Sequence, residues 1–460
     1  MKYDAIVIGS GQGGNPLSHA LADRGWHVAL IEREHLGGTC INTGCTPTKT
    51  MVASAQVAHY ARAARRWGVI AGRVSVDLGR VVERKRAIVE QFRSGQQRRV
   101  DARASLDLHR GHARFVAAHA VQVGDQTIES EKIFIDTGTR PQIPAIDGLE
   151  ASGYLTNASL MELTEVPRHL IVLGGGYIGL EFGQMFRRFG SRVTVVHNGS
   201  QVLPLEDPDV ADALRKALEA EDVLFVLDAK TTRVERRPAG IALRVKTPAG
   251  TRTISGTHLL VATGRRPNTD DLGLDVAGVT TDERGFVKVN GRLETSAPGI
   301  WAIGDVKGGP AFTHISYNDY QIVYANLVDG ASQTVDGRIV PYSVFTDPQV
   351  GRVGMTEKEA RAKGHRLKIG SIPMSWVARA IERDETAGLM KLVVDAANDR
   401  ILGAAIVATE GGELVQALAI VMRAGLPYTV LKGAVYIHPT LAEGFYALMD
   451  EVKPVGWEEG

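Results

Sequence analysis

"AIVIGSGQGGNPLSHALADRGWHVALIE", residues 5–32, is the stretch that decides the fold. Residues 3–8 read as a buried strand, Gly9, Gly11 and Gly14 spell GxGxxG, "LSHALADRG" has helical patterning, and "HVALIE" is a second strand. Strand, glycine turn, helix and strand together make a dinucleotide-binding unit. The glycines permit a tight turn and let a pyrophosphate approach the helix N-terminus, where unpaired backbone N–H groups receive negative charge. Glu32 ends the second strand 18 positions beyond Gly14, placed to accept the ribose hydroxyls of an adenine dinucleotide.

The same grammar returns in "RHLIVLGGGYIGLEFGQMFRRFGSRVTVVH", residues 168–197, with Gly174, Gly176 and Gly179 between an apolar strand and a helix. Where the first unit has Glu32 the second has His197. A carboxylate there would repel a ribose 2′-phosphate and a histidine would not, so this site leans toward NADP, with NAD still open. The competing reading of His197 is a polar strand-end residue. A further echo links "EKIFIDTGTRPQIPAIDG" (131–148) and "THLLVATGRRPNTD" (257–270): each has Thr-Gly and then Arg-Pro after an apolar strand. The first, running to Pro144, reads as a domain crossing, and the second as the return. "GIWAIGDV" (299–306) is one more strand, followed by Gly304 and Asp305, whose carboxylate suits a polyol or ribityl hydroxyl.

From about residue 341 the pattern changes to an alpha/beta domain with an antiparallel hairpin around Asn398 and Asp399. The expected class is α/β, with two Rossmann-like domains and a C-terminal α+β domain. The expected boundaries are 1–143 with 268–338, then 144–267, then 339–460. Residues 80–105 read as a long helix whose basic side chains form a solvated face.

Both cysteines of the 460-residue chain lie in "GGTCINTGCTPTKT", residues 37–50. In an extended chain Cys40 and Cys45 would stand about 17 Å apart, far beyond the roughly 4.4–6.8 Å of a disulfide. Asn42, Thr43 and Gly44 must therefore turn the backbone. Pro47 fits the first turn of a following helix, which would set Cys45 near a helix N-terminus and favour its thiolate. Lys49, four residues on, shares that helical face and can meet an anion or a carboxylate. A redox couple, a structural disulfide, two inert thiols and a zinc half-site all remain as readings, the last lacking a second cysteine pair.

Composition narrows the classes. With 53 basic and 52 acidic residues the formal charge is +1, so no nucleic-acid or acidic-membrane partner is expected. Neither a signal peptide nor a membrane-spanning apolar run is evident, and two cysteines suit a reducing cytoplasm. In "YIHPTLAEG" (436–444), His438 is suited to proton transfer and Glu443 to orienting its ring, and the proline is compatible with a cis bond. Alone, His438 also reads as an ordinary polar residue.

"GGTCxNxGCxPTK", "GGGYIGLE", "ATGRRPN", "GIWAIGDV" and "HPTLAE" occur in the order found in class I pyridine nucleotide-disulfide oxidoreductases, which the chain resembles over nearly its whole length. The C-terminal "AGLPYTVLK" and "HPTLAE" look closest to the mercuric-reductase-like, reactive-chlorine-resistance flavoenzymes. The resemblance implies FAD on the first unit and NADP or NAD on the second. It implies Cys45 as the thiol facing the flavin and forming a charge-transfer complex, and Cys40 as the interchange thiol that meets substrate. Tyr177 would cover the nicotinamide pocket, Lys49 and Glu181 would pair beside the flavin, and Asp305 would hold FAD. Thr39, Thr137, Gly138, Gly304 and Gly264 complete the implied cofactor contacts. His438 and Glu443 would enter the active site of a second subunit, making an obligate homodimer. The expected activity is electron transfer from NAD(P)H through Cys40 and Cys45 to a small-molecule disulfide. The alternatives are a copper(II) or mercury(II) reductase, and a flavin-containing redox sensor. The usual C-terminal cysteine pair of mercuric reductases is missing here.

Overall fold

Ala5–Ile8 is buried at every position, as a central strand covered on both faces must be. In the computed structural model, which describes residues 1–456, it pairs in parallel with Val28–Glu32 on one side and Ile133–Ile135 on the other. Ile300–Ala302 and Leu106–Arg110 complete a five-stranded parallel sheet as its two edges. Side chains alternate across it. Ile6 and Ile8 join Phe115, Val121 and Ile128 of an antiparallel three-stranded meander, 113–129. Val7 and Leu30 pack instead on Leu17, Leu21, Ile322 and Val323 of the helices Gly14–Asp23 and Thr313–Val328.

The plan is repeated further along the chain. A four-stranded parallel sheet runs in the order Val223–Val226, Arg192–Val196, His169–Leu173, His258–Val261. A second antiparallel three-stranded sheet, 230–256, again separates its third strand from its fourth. Helix Tyr177–Phe189 follows the first strand, as Gly14–Asp23 does in the first copy. The C-terminal part is a six-stranded antiparallel sheet with the expected hairpin, Leu389–Asp395 and Ile401–Ala408, turning through Asp399 at φ +58°. Its core joins Met390, Leu392, Ala404 and Ile406 to Val415, Leu418, Phe445 and Leu448 of the helices Gly411–Arg423 and Gly444–Asp450.

Contacts divide the chain into two compact units. One comprises Met1–Met51, Gly79–Ile143 and Gly264–Arg338; the other comprises Val52–Leu78, Pro144–Thr263 and the segment from Ile339 on. Among the described residues no helix is long and apolar enough to cross a membrane.

Candidate active site

Beyond Glu32 the chain turns at Gly37 (φ +98°) and Gly38 (φ +59°), where a Cβ on Gly38 would lie 2.8 Å from Gly11 Cα. The cysteine loop therefore rests directly on the first glycine turn. A short helix, Gly38–Asn42, carries Cys40, and Cys45 opens the next helix, Cys45–Ala63, with Pro47 in its first turn. The reversal between them needs Gly44, since a Cβ there would sit 2.7 Å from Thr39 O. Asn42 pins the turn by donating to the carbonyls of His35, Leu36 and Gly38, and its own oxygen accepts from Arg93. Arg93 belongs to helix Leu78–Asp101, the stretch whose basic residues read as a solvated face, and Arg84 of that helix donates to Thr50 O. Part of that face thus braces the cysteine loop, a role charge periodicity does not reveal.

The two cysteines are not joined in a disulfide and hydrogen-bond to each other, with Cys45 Sγ 3.3 Å from Thr313 Oγ1. The bond to Cys45, then burial, then the Cys45 charge hold the Cys40 thiol far above the usual thiol range, against a weaker opposing pull from Thr313 and Lys49. A helix N-terminus meanwhile favours the thiolate at Cys45.

Around the first glycine turn, Gly9 is left-handed at φ +102°. Glu32 Oε2 accepts from Ser10 N (3.1 Å) and Ser10 Oγ (2.6 Å), and its Oε1 accepts from Glu34 N at 2.9 Å. Thr137 and Asn268 exchange two 2.8 Å bonds, Gly138 stands at φ +64°, and Gly264 at φ +122°. Asp305 accepts from Thr139 Oγ1 at 3.0 Å, and its pKa is raised chiefly by burial. Gly304, at φ +69°, donates its N–H to Asp319, a wholly buried acid paired with Lys307 and Arg338. Thr39, immediately before Cys40, uses its carbonyl to accept from Thr43 N. Asp136, Asp319 and Thr313 were not singled out by motif reading; only their positions after an apolar strand or in a helix hinted at them.

In the second unit, Gly174 (φ +120°), Gly176 and Gly179 precede and open helix Tyr177–Phe189, and Tyr177 is exposed at its first position. His197 Nδ1 accepts from Gly175 N at 3.3 Å, and burial lowers its pKa. The ring is therefore neutral, and its Nε2 is buried with no hydrogen-bond partner among the described residues. Glu181 is buried and accepts from Phe345 N at 2.8 Å. It lines a cavity of about 170 Å³ together with Gln184, Arg188, Phe345, Asp347 and Arg383, which the sequence reading did not anticipate. Lys49 lies in the first unit and Glu181 in the second. His438 Nδ1 is 2.8 Å from Glu443 Oε2, the His438–Pro439 bond is cis, and the imidazole is 74% exposed. Among the described residues no cluster of three or more His, Cys, Asp or Glu side chains is placed to hold a metal.

Two dinucleotide folds and a vicinal thiol pair on one chain define a flavin- and pyridine-nucleotide-dependent disulfide oxidoreductase. The family model for pyridine nucleotide-disulphide oxidoreductases matches residues 3–319, and the model for their dimerisation domain matches 340–448. The chain belongs to that family. It is 38% identical over 460 residues to the probable pyridine nucleotide-disulfide oxidoreductase RclA of Escherichia coli (strain K12), covering 98% of this chain and 100% of that one. It is 35% identical to the mercuric reductase of Lysinibacillus sphaericus, over 96% of this chain and 81% of the relative. The solved structure described as the Cu(II) complex of HOCl-induced flavoprotein disulfide reductase RclA from Escherichia coli superposes with a TM-score of 0.89 at 38% identity, covering 98% of this chain and 100% of that one.

The residues present fit FAD. Side chains are excluded from the first glycine turn by backbone contacts at 2.3 Å (Gly9) and 2.8 Å (Gly38), which keeps a bare backbone surface for a diphosphate. Glu32 ends one strand and Asp305 lies in the turn Gly304–Lys307 that follows another, and they supply acceptors such as a ribose and a polyol chain require.

Proposed function

We propose that the chain passes electrons from reduced pyridine nucleotide, by way of FAD, to a Cys40–Cys45 disulfide, and from the reduced pair to an external disulfide. The observation that carries this reading is the pair itself: two hydrogen-bonded thiols, one opening a helix, the other with its proton held tightly. FAD, when bound, supplies the two-electron link between nicotinamide and sulfur. Gly9, Gly11, Gly14, Glu32, Thr137, Gly138, Gly304 and Asp305 would hold it. Gly174, Gly176, Gly179 and His197 would hold the nicotinamide nucleotide, with Tyr177 over its reactive ring and Lys49 and Glu181 beside the flavin. The domain division follows the same reading: FAD on 1–143 and 268–338, nucleotide on 144–267, dimerisation on 339–460, whose last four residues lie outside those described.

Once reduced, the pair holds Cys45 as thiolate and Cys40 as thiol. Because Cys40 keeps its proton so firmly, attack on a substrate requires a base. The exposed His438 supplies it, with Glu443 fixing the proton on Nδ1 and leaving Nε2 to accept. We assign this base to the partner subunit in a homodimer, which the family's dimerisation domain supports. The partner subunit's His438 takes the Cys40 proton, and Cys40 Sγ attacks one substrate sulfur. The substrate S–S bond breaks, and the first leaving thiolate takes the proton back. Cys45 Sγ then attacks Cys40 Sγ, expelling the second thiolate and restoring the disulfide.

A second reading has support in the named relatives, one a mercuric reductase and one solved with Cu(II). The dithiol would give one electron to each of two Cu(II) ions, or two to one Hg(II), and close to a disulfide. NADPH is the proposed reductant, since no carboxylate occupies the position of His197; two thiols in a chain of this family suit the cytoplasm. The test is anaerobic NADPH turnover against lipoamide, glutathione disulfide, Cu(II) and Hg(II) with wild type and Cys45→Ser. Loss of disulfide turnover by about 10³-fold or more in the variant is expected. Undiminished turnover removes the cysteine route, and metal turnover with inert disulfides selects the second reading.

A further inference from the structure

The two dinucleotide folds of this chain share the contacts of their first and last fingerprint glycines, and differ in the residue beneath the turn. A Cβ on Gly9 would strike Asp136 O at 2.3 Å, and one on Gly174 would strike Ala262 O at 2.2 Å. A Cβ on Gly14 would strike Gly9 O at 2.3 Å, and one on Gly179 would strike Gly174 O at 2.2 Å. Asp136 and Ala262 each follow the strand that pairs beside the first strand of their sheet, Ile133–Ile135 and His258–Val261. They occupy one position of one architecture. Since the second copy is built with a methyl group there, the carboxyl group in the first is not required by the fold.

That carboxyl lies beneath the glycine turn. Asp136 is 6% exposed, and its Oδ2 accepts the N–H of Gly14, the first residue of helix Gly14–Asp23, at 2.7 Å. A Cβ on Gly11 would fall 2.6 Å from Oδ2, and one on Gly304 would fall 2.7 Å from Oδ1. The acid is thus wrapped by the backbone on which a diphosphate would lie. The charged groups facing it are Glu32, Asp305 and Asp319, all acidic. The cations of the neighbourhood are turned elsewhere: Lys307 and Arg338 to Asp319, Arg265 to Thr139. Among the described residues no cation pairs with Asp136. Burial first, and the three acids after it, raise its pKa well above the ordinary aspartate range, opposed by the Gly14 bond.

We propose that Asp136 is a proton-carrying positioning residue of the FAD site: it supports the first glycine turn as the neutral acid, and FAD retention is linked to that proton. The inference rests on the reading of the first fold as the FAD fold. An ionised Asp136 would repel the diphosphate and compete with it for the positive end of the helix, whereas the neutral acid does neither. The bound diphosphate therefore raises the proton affinity of Asp136, and by reciprocity the proton raises the affinity for FAD. The sign follows. Affinity is full below the pKa of the cofactor-free protein and falls as pH rises toward the higher pKa of the loaded protein, by at most about tenfold per pH unit for one proton. The second fold, with Ala262, lacks this linkage.

The experiment strips FAD from purified wild type, Asp136→Asn and Asp136→Ala, and measures the dissociation constant for FAD from flavin fluorescence between pH 5 and 9. Wild type is expected to lose affinity with rising pH, by tenfold or more across the range. Asp136→Asn keeps an acceptor for Gly14 N and has no proton to lose, so it should stay within about threefold. Asp136→Ala reproduces the second fold and should be equally flat, which secures the comparison if the asparagine variant fails to fold. A flat wild-type profile overturns the linkage, and so does Asp136→Asn following the wild-type slope, which would place the titration on Glu32, Asp305 or Asp319. A wild-type protein that takes up no FAD at any pH overturns the FAD reading and the linkage with it.

Discussion

Gly44→Ala tests whether the turn between the cysteines sets their chemistry. The added methyl would lie 2.7 Å from Thr39 O, 3.1 Å from Thr39 C and 3.2 Å from Thr39 Cγ2. The first of these is about 0.7 Å inside ordinary contact. Two of the three atoms are backbone, and Thr39 O already accepts from Thr43 N at 2.9 Å, so neither side yields freely. Overpacking of this kind costs about 1–3 kcal/mol. Its geometric effect falls on the thiols, because the residues driven apart, 39 and 44, immediately precede Cys40 and Cys45. Displacements near 1 Å in a reacting pair cost up to about 10²-fold in rate, and a loss of about 10- to 100-fold in disulfide turnover is expected. Urea unfolding reads the first quantity, and anaerobic turnover together with a thiol count after oxidation reads the second. Gly72→Ala, whose methyl would meet nothing within 4 Å, is the control. Stability within about 0.5 kcal/mol of wild type with undiminished turnover would refute the reasoning.

Glu443→Gln leaves the His438 ring in place but removes the carboxylate that fixes its proton, so kcat with a disulfide should fall about 10- to 100-fold; an acceptor that bypasses the cysteines should be reduced at the wild-type rate. His197→Glu puts at the second fold the acid that the first has at Glu32, and should raise KM for NADPH about tenfold while leaving KM for NADH within about threefold. Arg352→Met removes a wholly buried guanidinium 3.6 Å from Glu206 and 3.8 Å from Asp207. Loss of one partner from such a cluster costs about 3–5 kcal/mol. Burial already raises the Glu206 pKa and Arg352 opposes that rise, so the variant should hold a proton there at higher pH. A group with a raised folded-state pKa stabilises most at low pH, and the deficit, read as the urea midpoint, should be smaller at pH 5.5 than at pH 8.

Local signals in the sequence were sufficient to place the elements on which the candidate site residues stand. The GxGxxG turns, Glu32, His197 and the Asn398–Asp399 hairpin depend on spacing within a few residues or on the end of one strand, and the observed elements fall on those stretches. The turn at Asn42–Gly44 followed from chain length alone: two thiols five residues apart cannot meet without it. What spacing cannot carry is contact over long separations. Arg93 reaches Asn42 across 51 residues, Gly14 reaches Asp136 across 122, and Thr313 reaches Cys45 across 268. None of these partners has a motif of its own. Arg93 was concealed in a helix whose other basic residues do face outward, and Asp136 in the otherwise apolar strand end of "IFIDTG".

The repetition of the fold supplies a control that a single-domain enzyme lacks. Gly9 and Gly14 have counterparts, Gly174 and Gly179, whose backbone contacts are equal to within 0.1 Å, so these contacts belong to the architecture and carry no information about which nucleotide binds. The differences carry it: glutamate against histidine at the second strand end, aspartate against alanine under the turn. Both place an acid in the first fold and none in the second. Glu32 already has three donors from the chain itself, Ser10 N, Ser10 Oγ and Glu34 N, whereas Asp136 has Gly14 N alone. Of the two acids, Asp136 has the fewer bonds that would favour its ionised form, and so it is the one on which a diphosphate arriving at the same helix N-terminus should act most strongly.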